Sequence, residues 1–534
     1  MKIRMDRVGA AVCGLIGVLV TAVGWGPSAS AELAVSRLIA DHMVVQRSAA
    51  VPVWGEAAAG ARVTVEASWG QRGSATAGED GRWQVVIQTP GATSEPQKLE
   101  IMADGEDEAL VIRDVLVGDV WVASGQSNMQ WRIRQSFHAG EEMDVPGVRM
   151  TTISPWRTQT PRTEVGSLQP WAVSTPESVR GFSAVAFYFA REVHQATGVP
   201  IGVISASWGG RRIEPFTPPV GFERVPAMAA HAAYLRGGFA SSPEGQAWYA
   251  ERMAAMEAWL VEARVAVAEQ REPRPSPSVP LLETAFGRPT RIYNAMIAPL
   301  TRVPVAGVIW YQGESNAGDG LGYTPMMEAL VAGWRASWGR EDLPFYFVQL
   351  AGFGEVTGQA WDGAGFAAVR EAQRRALSIP RTGMAVAMDV GDPGDIHPKN
   401  KLDVGRRLTR WALADAYGKQ DVVASGPLYR SVRFEDGRAI VSFDYVGGGL
   451  MAASKQGMEP PVETPGEALR HFGIKGMDGV WHGAEAEVRG DEVVVWSDVV
   501  PEPVAVRFAY TRSVEAFNFY NRAGLPASPF TTEP

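Results

Sequence analysis

The sequence predicts an α/β fold, a doubly wound parallel sheet flanked by all-β domains. Three observations carry this. Between about 115 and 424, near-continuous apolar runs alternate with helical patterns, as expected for parallel strands covered on both faces. Before 114, apolar and polar residues alternate with the period of half-buried strands. After 425, hairpin patterns return. A chain of 534 residues with 46% hydrophobic and 20% charged residues can build several cores.

The elements follow in order. Lys2, Arg4 and Arg7 precede an uncharged apolar run, Val8 to Trp25, and Ala29-Ser30-Ala31 offers a cleavage triplet. Residues 1–31 therefore read as a signal peptide, cleaved near Ala31, and the protein as exported, periplasmic or secreted. The only cysteine, Cys13, lies in that segment, so the mature chain would hold no thiol nucleophile and no cysteine metal site. Residues 32–114 read as a β-sandwich domain. Val63, Val65, Ala67 and Trp69 form one face of a strand, and "EDGRWQVVIQT" is a turn followed by another. Residues 115–424 hold five strands, "VLVGDVWVA", "IGVISAS", "VAGVIWYQ", "PFYFVQLA" and "MAVAMDVG". The helices fall at 183–197, stopped by Gly198, at 325–338, with Thr324 as N-cap and Gly339 past the end, at 365–378 and at about 400–417. A helical and Pro-rich insertion spans 215–284, with Pro243 starting its helix. Residues 425–534 form a C-terminal β-rich domain with Asp-Gly and Gly-Asp hairpin turns.

The formal net charge of −9 argues against nucleic acid or an anionic membrane as partner and favours a neutral or small-molecule substrate. No run after the leader is long and apolar enough to span a membrane. Neither a cofactor nor an oligomeric state is indicated.

Ligands of open α/β sheets bind beyond the carboxyl ends of the strands. Those positions hold Gly125-Gln126-Ser127-Asn128-Met129, Trp208-Gly209-Gly210, Gln312-Gly313-Glu314-Ser315-Asn316, and Asp395-Ile396-His397-Pro398. Each alone is ordinary: a turn serine, a loop, a solvated acid, a surface histidine. Together on one sheet edge they supply the parts of serine hydrolysis. A serine hydroxyl needs a base, the base needs a carboxylate to orient it, and the oxyanion needs donors already in place. Gly209 and Gly210 allow backbone N–H groups to approach closely. Gln312 or Asn316 could add a side-chain donor. Asp395 and His397, two apart, point the same way in extended chain. A metal site from Asp389, Asp392, Asp395 and His397 is the rival arrangement, but no His-x-x-x-His or cysteine pattern supports it, and Ser127 would then lack a role.

The same blocks, with Trp208-Gly209-Gly210 continuing to Ile213-Glu214, and with "IYNAMIAPL" (292–300) and "LPASPF" (525–530), resemble the sialate O-acetylesterase-like (SASA) family of SGNH-type carbohydrate acetylesterases. The resemblance runs through nearly the whole mature chain. It implies an SGNH-hydrolase-like, flavodoxin-like sheet with Ser127 as nucleophile, His397 as base and Asp395 as its orienter. The oxyanion hole would use N–H groups of Ser127 and of Gly209 or Gly210, with Gln312 favoured over Asn316 as third donor. Glu314, Asn316 and Asn128 would support the site, Asn128 without a defined role. The family's common threonine is Arg211 here, followed by Arg212, and with Trp208 these are candidate substrate contacts. Arginine pairing with Glu214 is the plainer expectation. The implied reaction is hydrolysis of acetyl esters on sugars without metal, with plant polysaccharides or oligosaccharides of the xyloglucan or xylan type preferred over sialate. A non-catalytic carbohydrate-binding protein on an esterase scaffold, or a general esterase or lipase, are the alternatives.

Overall fold

The computed structural model describes residues 32–137, 142–238, 242–277, 288–361 and 363–533. The expected signal peptide, with its cleavage site, and residues 239–241 and 278–284 of the insertion lie outside the described residues.

The central sheet is built from β1 (Leu110–Gly125), β2 (Val145–Ile153), β3 (Leu168–Ser174), β4 (Ile201–Ser207), β5 (Gly307–Tyr311), β6 (Phe345–Val348) and β7 (Thr382–Ala385). Its order is β3-β2-β4-β1-β5-β6-β7. All neighbours are parallel except β3, which runs antiparallel to β2. β4, β5 and β6 are buried at every residue, and β1 from Val115 onward. Side chains on both faces of the sheet are thus covered, which is why these strands read as unbroken apolar runs. The five expected strands take the order β4-β1-β5-β6-β7. The chain leaves β1 towards β4 and later returns to its other side as β5. Such a reversal opens a crevice at the carboxyl ends of β1 and β5. The hairpin β2–β3 was not expected from the sequence. It extends the sheet beyond β4.

The short helix α1 (Ser127–Gln130) follows β1 after a single residue. Helix α2 (Ala184–Thr197) is capped by the Ser183 hydroxyl and closed by Gly198 at φ 71°. Helix α3 (Pro243–Ala268) is the expected insertion helix. Helix α4 (Tyr323–Trp338) begins earlier than expected. Gly322 occupies its N-cap position, and the Thr324 hydroxyl instead donates to the Ala372 carbonyl. Helix α5 (Phe366–Arg375) ends in a tighter turn at 376–378, and α6 (Lys401–Trp411) passes into a wider turn at 412–416.

The N-terminal strands join the central sheet through β1. Strand Val44–Gln46 pairs with it in parallel and strand Thr93–Ala103 antiparallel. The expected boundary at 114/115 therefore falls inside one continuous strand. At the C-terminal end, hairpins join Leu428–Glu435 to Arg438–Asp444 and Glu485–Arg489 to Glu492–Trp496. The first turns at Asp436-Gly437, both at positive φ, as a two-residue hairpin requires. No helix among the described residues is long and apolar enough to cross a membrane.

Candidate active site

The abrupt end of β1 sets the position of Ser127. Gly125 takes φ 138°, and a Cβ there would lie 2.2 Å from the Tyr311 carbonyl oxygen. Only glycine fits between β1 and β5 at this point. Gln126 is buried, and its Oε1 accepts N–H groups of Gly313 and Ser315 at 3.4 and 3.3 Å. The serine turn is thereby tied to the loop after β5. Ser127 then opens α1 and is partly exposed.

The loop after β7 brings His397 to it. His397 Nε2 lies 2.9 Å from Ser127 Oγ. The imidazole stacks on Trp131, with centroids 4.4 Å apart and planes 10° apart. Its Nδ1 is 3.6 Å from Asp395 Oδ1, beyond hydrogen-bond length. The same carboxylate oxygen accepts the His397 backbone N–H at 2.9 Å. Burial, and then the nearby cation of Lys401, push the imidazole below its ordinary pKa, against the opposing pull of Asp395. In its neutral form such a histidine can accept a proton at Nε2.

The loop after β4 packs directly on the serine. A Cβ on Gly209 would meet Ser127 Cβ at 3.3 Å, and Gly210 takes φ 67°. The Gly209 N–H donates to Gln130 Oε1 at 3.0 Å.

The amide side chains depart from expectation. Gln312 is fully buried. Its Nε2 donates to the Arg211 carbonyl at 3.2 Å and to Asn316 Oδ1 at 2.7 Å, and its Oε1 accepts from the Tyr323 hydroxyl. Both amide hydrogens are engaged by the scaffold in this resting arrangement. Asn316 is equally engaged, donating to Asp319 and Glu214 and accepting from Ile213 N–H. These bonds hold the loops after β4 and β5 together. Asn128, in contrast, gains a definite place. Its Nδ2 donates to Glu314 Oε1 at 2.5 Å and to the Ile396 carbonyl at 3.0 Å, and its Oδ1 accepts from Lys401 Nζ.

The two arginines separate. Arg212 pairs with Glu214 at 2.7 Å and Asp319 at 2.8 Å, as expected of an arginine beside Glu214. Arg211 does not. Its guanidinium lies 4.5 Å above the Trp208 ring, and its Nε is buried without a hydrogen-bond partner among the described residues. Burial and the neighbouring cations of Arg157 and Arg288 push its pKa down. Of the residues proposed for a metal, Asp389 is bound to Arg407 at 2.6 Å.

Trp131, Gln130 and Lys401 are parts of the site that sequence reasoning missed. One spacing was a usable signal: Gln130 lies three residues after Ser127 on the same short helix, where such positions share a face, whereas Trp131 ends that helix and Lys401 opens the one that follows the His397 loop.

Ser127, on a tight strand–helix turn at the carboxyl edge of the α/β sheet, thus stands within hydrogen-bond reach of His397, an arrangement that could serve serine hydrolysis. Comparison with known proteins points to a carbohydrate esterase. Residues 281–414 match the SASA family, described as carbohydrate esterase, sialic acid-specific acetylesterase. The sialate O-acetylesterase of Rattus norvegicus is 30% identical over 446 residues, 76% of this chain and 78% of the relative. The Homo sapiens enzyme is 28% identical, over 81% and 80%. The crystal structure of a carbohydrate acetylesterase from Xanthomonas citri aligns with 32% identity and a TM-score of 0.75, covering 94% of this chain and 99% of that one. The chain belongs to the sialate O-acetylesterase family of carbohydrate esterases, and it is an esterase.

Proposed function

We propose that the protein hydrolyses acetyl esters on carbohydrates by a serine mechanism. The 2.9 Å contact between Ser127 Oγ and His397 Nε2 carries this reading. His397 takes the hydroxyl proton as Ser127 attacks the acetyl carbonyl. It returns that proton to the departing sugar oxygen. Water, activated by the same histidine, then releases acetate from the acyl-serine. Asp395 orients the imidazole. The Ser127 N–H and an N–H of the Gly209-Gly210 turn meet the oxyanion, each such donor being worth roughly 3 kcal/mol of barrier. Gln130 holds the Gly209 N–H in the resting enzyme.

The substrate we favour is an acetylated plant polysaccharide or oligosaccharide of the xyloglucan or xylan type. The full-length likeness to the Xanthomonas citri carbohydrate acetylesterase supports an acetylated carbohydrate in general. One observation favours a second reading, acetylated sialate: Arg211, beside the oxyanion turn, has no carboxylate partner among its described contacts and could receive one from an acidic sugar. We further propose that residues 115–424 form an SGNH-type body between residues 32–114 and 425–534, and that the protein is exported. Acetate release from neutral and acidic acetylated glycans, run with Ser127→Ala as control, decides between the substrates. Undiminished turnover of 4-nitrophenyl acetate by Ser127→Ala would sink the serine mechanism.

A further inference from the structure

Lys401 opens α6 and its side chain is fully buried. A lysine there is unfavourable twice over: its cation faces the positive end of a helix dipole, and its ammonium is taken out of water. Its Nζ donates to Asn128 Oδ1 at 2.5 Å and stands 5.3 Å from the centre of the Tyr311 ring. Across the same amide, Asn128 Nδ2 donates to Glu314 Oε1. A cation on one end and a carboxylate on the other fix the orientation of that amide. The remaining amide hydrogen reaches the Ile396 carbonyl. Asn128 follows Ser127 in the chain, and Ile396 precedes His397. One side chain therefore joins the backbone of the serine turn to the backbone of the histidine loop. Glu314 Oε2 and the Tyr311 hydroxyl remain buried without hydrogen-bond partners. A cluster serving stability alone would gain from apolar replacement.

We infer that Lys401 is a positioning residue for the reaction, clamping Asn128 between the nucleophile turn and the histidine loop while its charge acts on the His397 imidazole. This rests on Ser127 and His397 being nucleophile and base. The charged groups acting on the imidazole are Lys401, which opposes its protonation, and Asp395, which favours it. Those acting on Lys401 are Glu314 and Asp395, both favouring its charge, while burial pulls its pKa down to about 7. Below that pH Lys401 is charged, and this is where the histidine titrates. Removing the cation lets His397 hold its proton to higher pH, so the acid limb of kcat/KM must move upward.

The test is Lys401→Met, with Lys401→Arg as the charge-conserving variant, assayed on 4-nitrophenyl acetate across pH 4–9 after thermal melting has established folding. Lys401→Met should lose at least tenfold in kcat, keep KM within about threefold, and shift the acid limb up by about half a unit or more. Lys401→Arg should return the limb towards its original position. A folded Lys401→Met enzyme with the original acid limb and kcat within twofold overturns the inference. If Lys401→Met does not fold, the Lys401→Met/Glu314→Gln pair, which removes both buried charges, is assayed instead. A tenfold loss of kcat at constant KM then supports the clamp, and an unchanged kcat overturns it. Turnover that survives Ser127→Ala in the otherwise intact enzyme identifies the failure as that of the serine mechanism rather than of the clamp.

Discussion

Among the residues of the site, the contacts of His397 are unequal. Its bond to Ser127 is of ordinary length, its ring is pinned flat against Trp131, and its link to Asp395 is stretched to 3.6 Å. A carboxylate at that range still favours the imidazolium but orients the ring weakly, and the indole supplies part of the orientation instead. Asp395→Asn should therefore lower kcat by about 10–100-fold, well short of the loss in His397→Ala, which removes the base itself. Equal losses in the two variants, measured on 4-nitrophenyl acetate, would show that the carboxylate closes to hydrogen-bond length during turnover. The residue types proposed to react were legible in the sequence because serine, histidine and their glycines sit where a sheet presents its loops. The amides were not. Gln312, Asn316 and Asn128 carry similar chemistry, and what separates them is which buried partner lies across the crevice: Tyr323 for the first, Asp319 and Glu214 for the second, Lys401 and Glu314 for the third. Those partners are 3 to 273 positions away in sequence.

Between residues and fold, the decisive element is the junction of β1 with α1. Ser127 is aimed by a backbone that must pass against β5, and Gly125 is where the two strands touch. An alanine there would place its methyl 2.2 Å from a carbonyl oxygen, at φ 138°. Neither the rigid parallel ladder nor the buried Tyr311 can yield cheaply. Gly125→Ala is expected to cost about 2–4 kcal/mol of stability and to displace Ser127 from His397, so Tm and kcat should fall together. An alanine variant with the original Tm and kcat, read by calorimetry and ester hydrolysis, would show that the junction is looser than its geometry. Strands of this kind announce themselves, since burial on both faces leaves no polar positions to confuse the pattern. The β2–β3 hairpin did not. It has exposed positions such as Pro146, Gln169 and Pro170, and β3 is a shorter edge strand with irregular register. Helix α4 shows the converse limit: Thr324 has the composition of an N-cap, but its hydroxyl has a better partner in α5.

At the scale of the whole molecule, β1 is the common member. It carries the N-terminal strands on its first half, lies at the middle of the parallel sheet on its second, and ends at Gly125, two residues before Ser127. Composition shifts located the change of architecture near 114, but the pairing between distant strands that carries β1 across this position leaves no local trace. The same centrality makes the buried charges beside Ser127 a load on the entire fold. The Lys401 ammonium is pulled down to about 7 from an ordinary 10.5, with burial as the main cause. Below about pH 7 folded and unfolded chains both hold this proton, and the cost of burying the charge is present in full. Between about 7 and 10.5 the unfolded chain binds a proton that the folded chain does not, so through this group stability rises with pH. Each unit of such a shift corresponds to about 1.4 kcal/mol, so a few kcal/mol are at stake. The Lys401→Met/Glu314→Gln pair lacks this dependence. Its Tm relative to the parent should therefore be highest near pH 6 and fall by several degrees by pH 10, as the parent sheds its buried charge. A Tm difference that stays flat across that range, followed by differential scanning calorimetry, would mean that Lys401 keeps its proton in the folded enzyme, held as a full ion pair by Glu314.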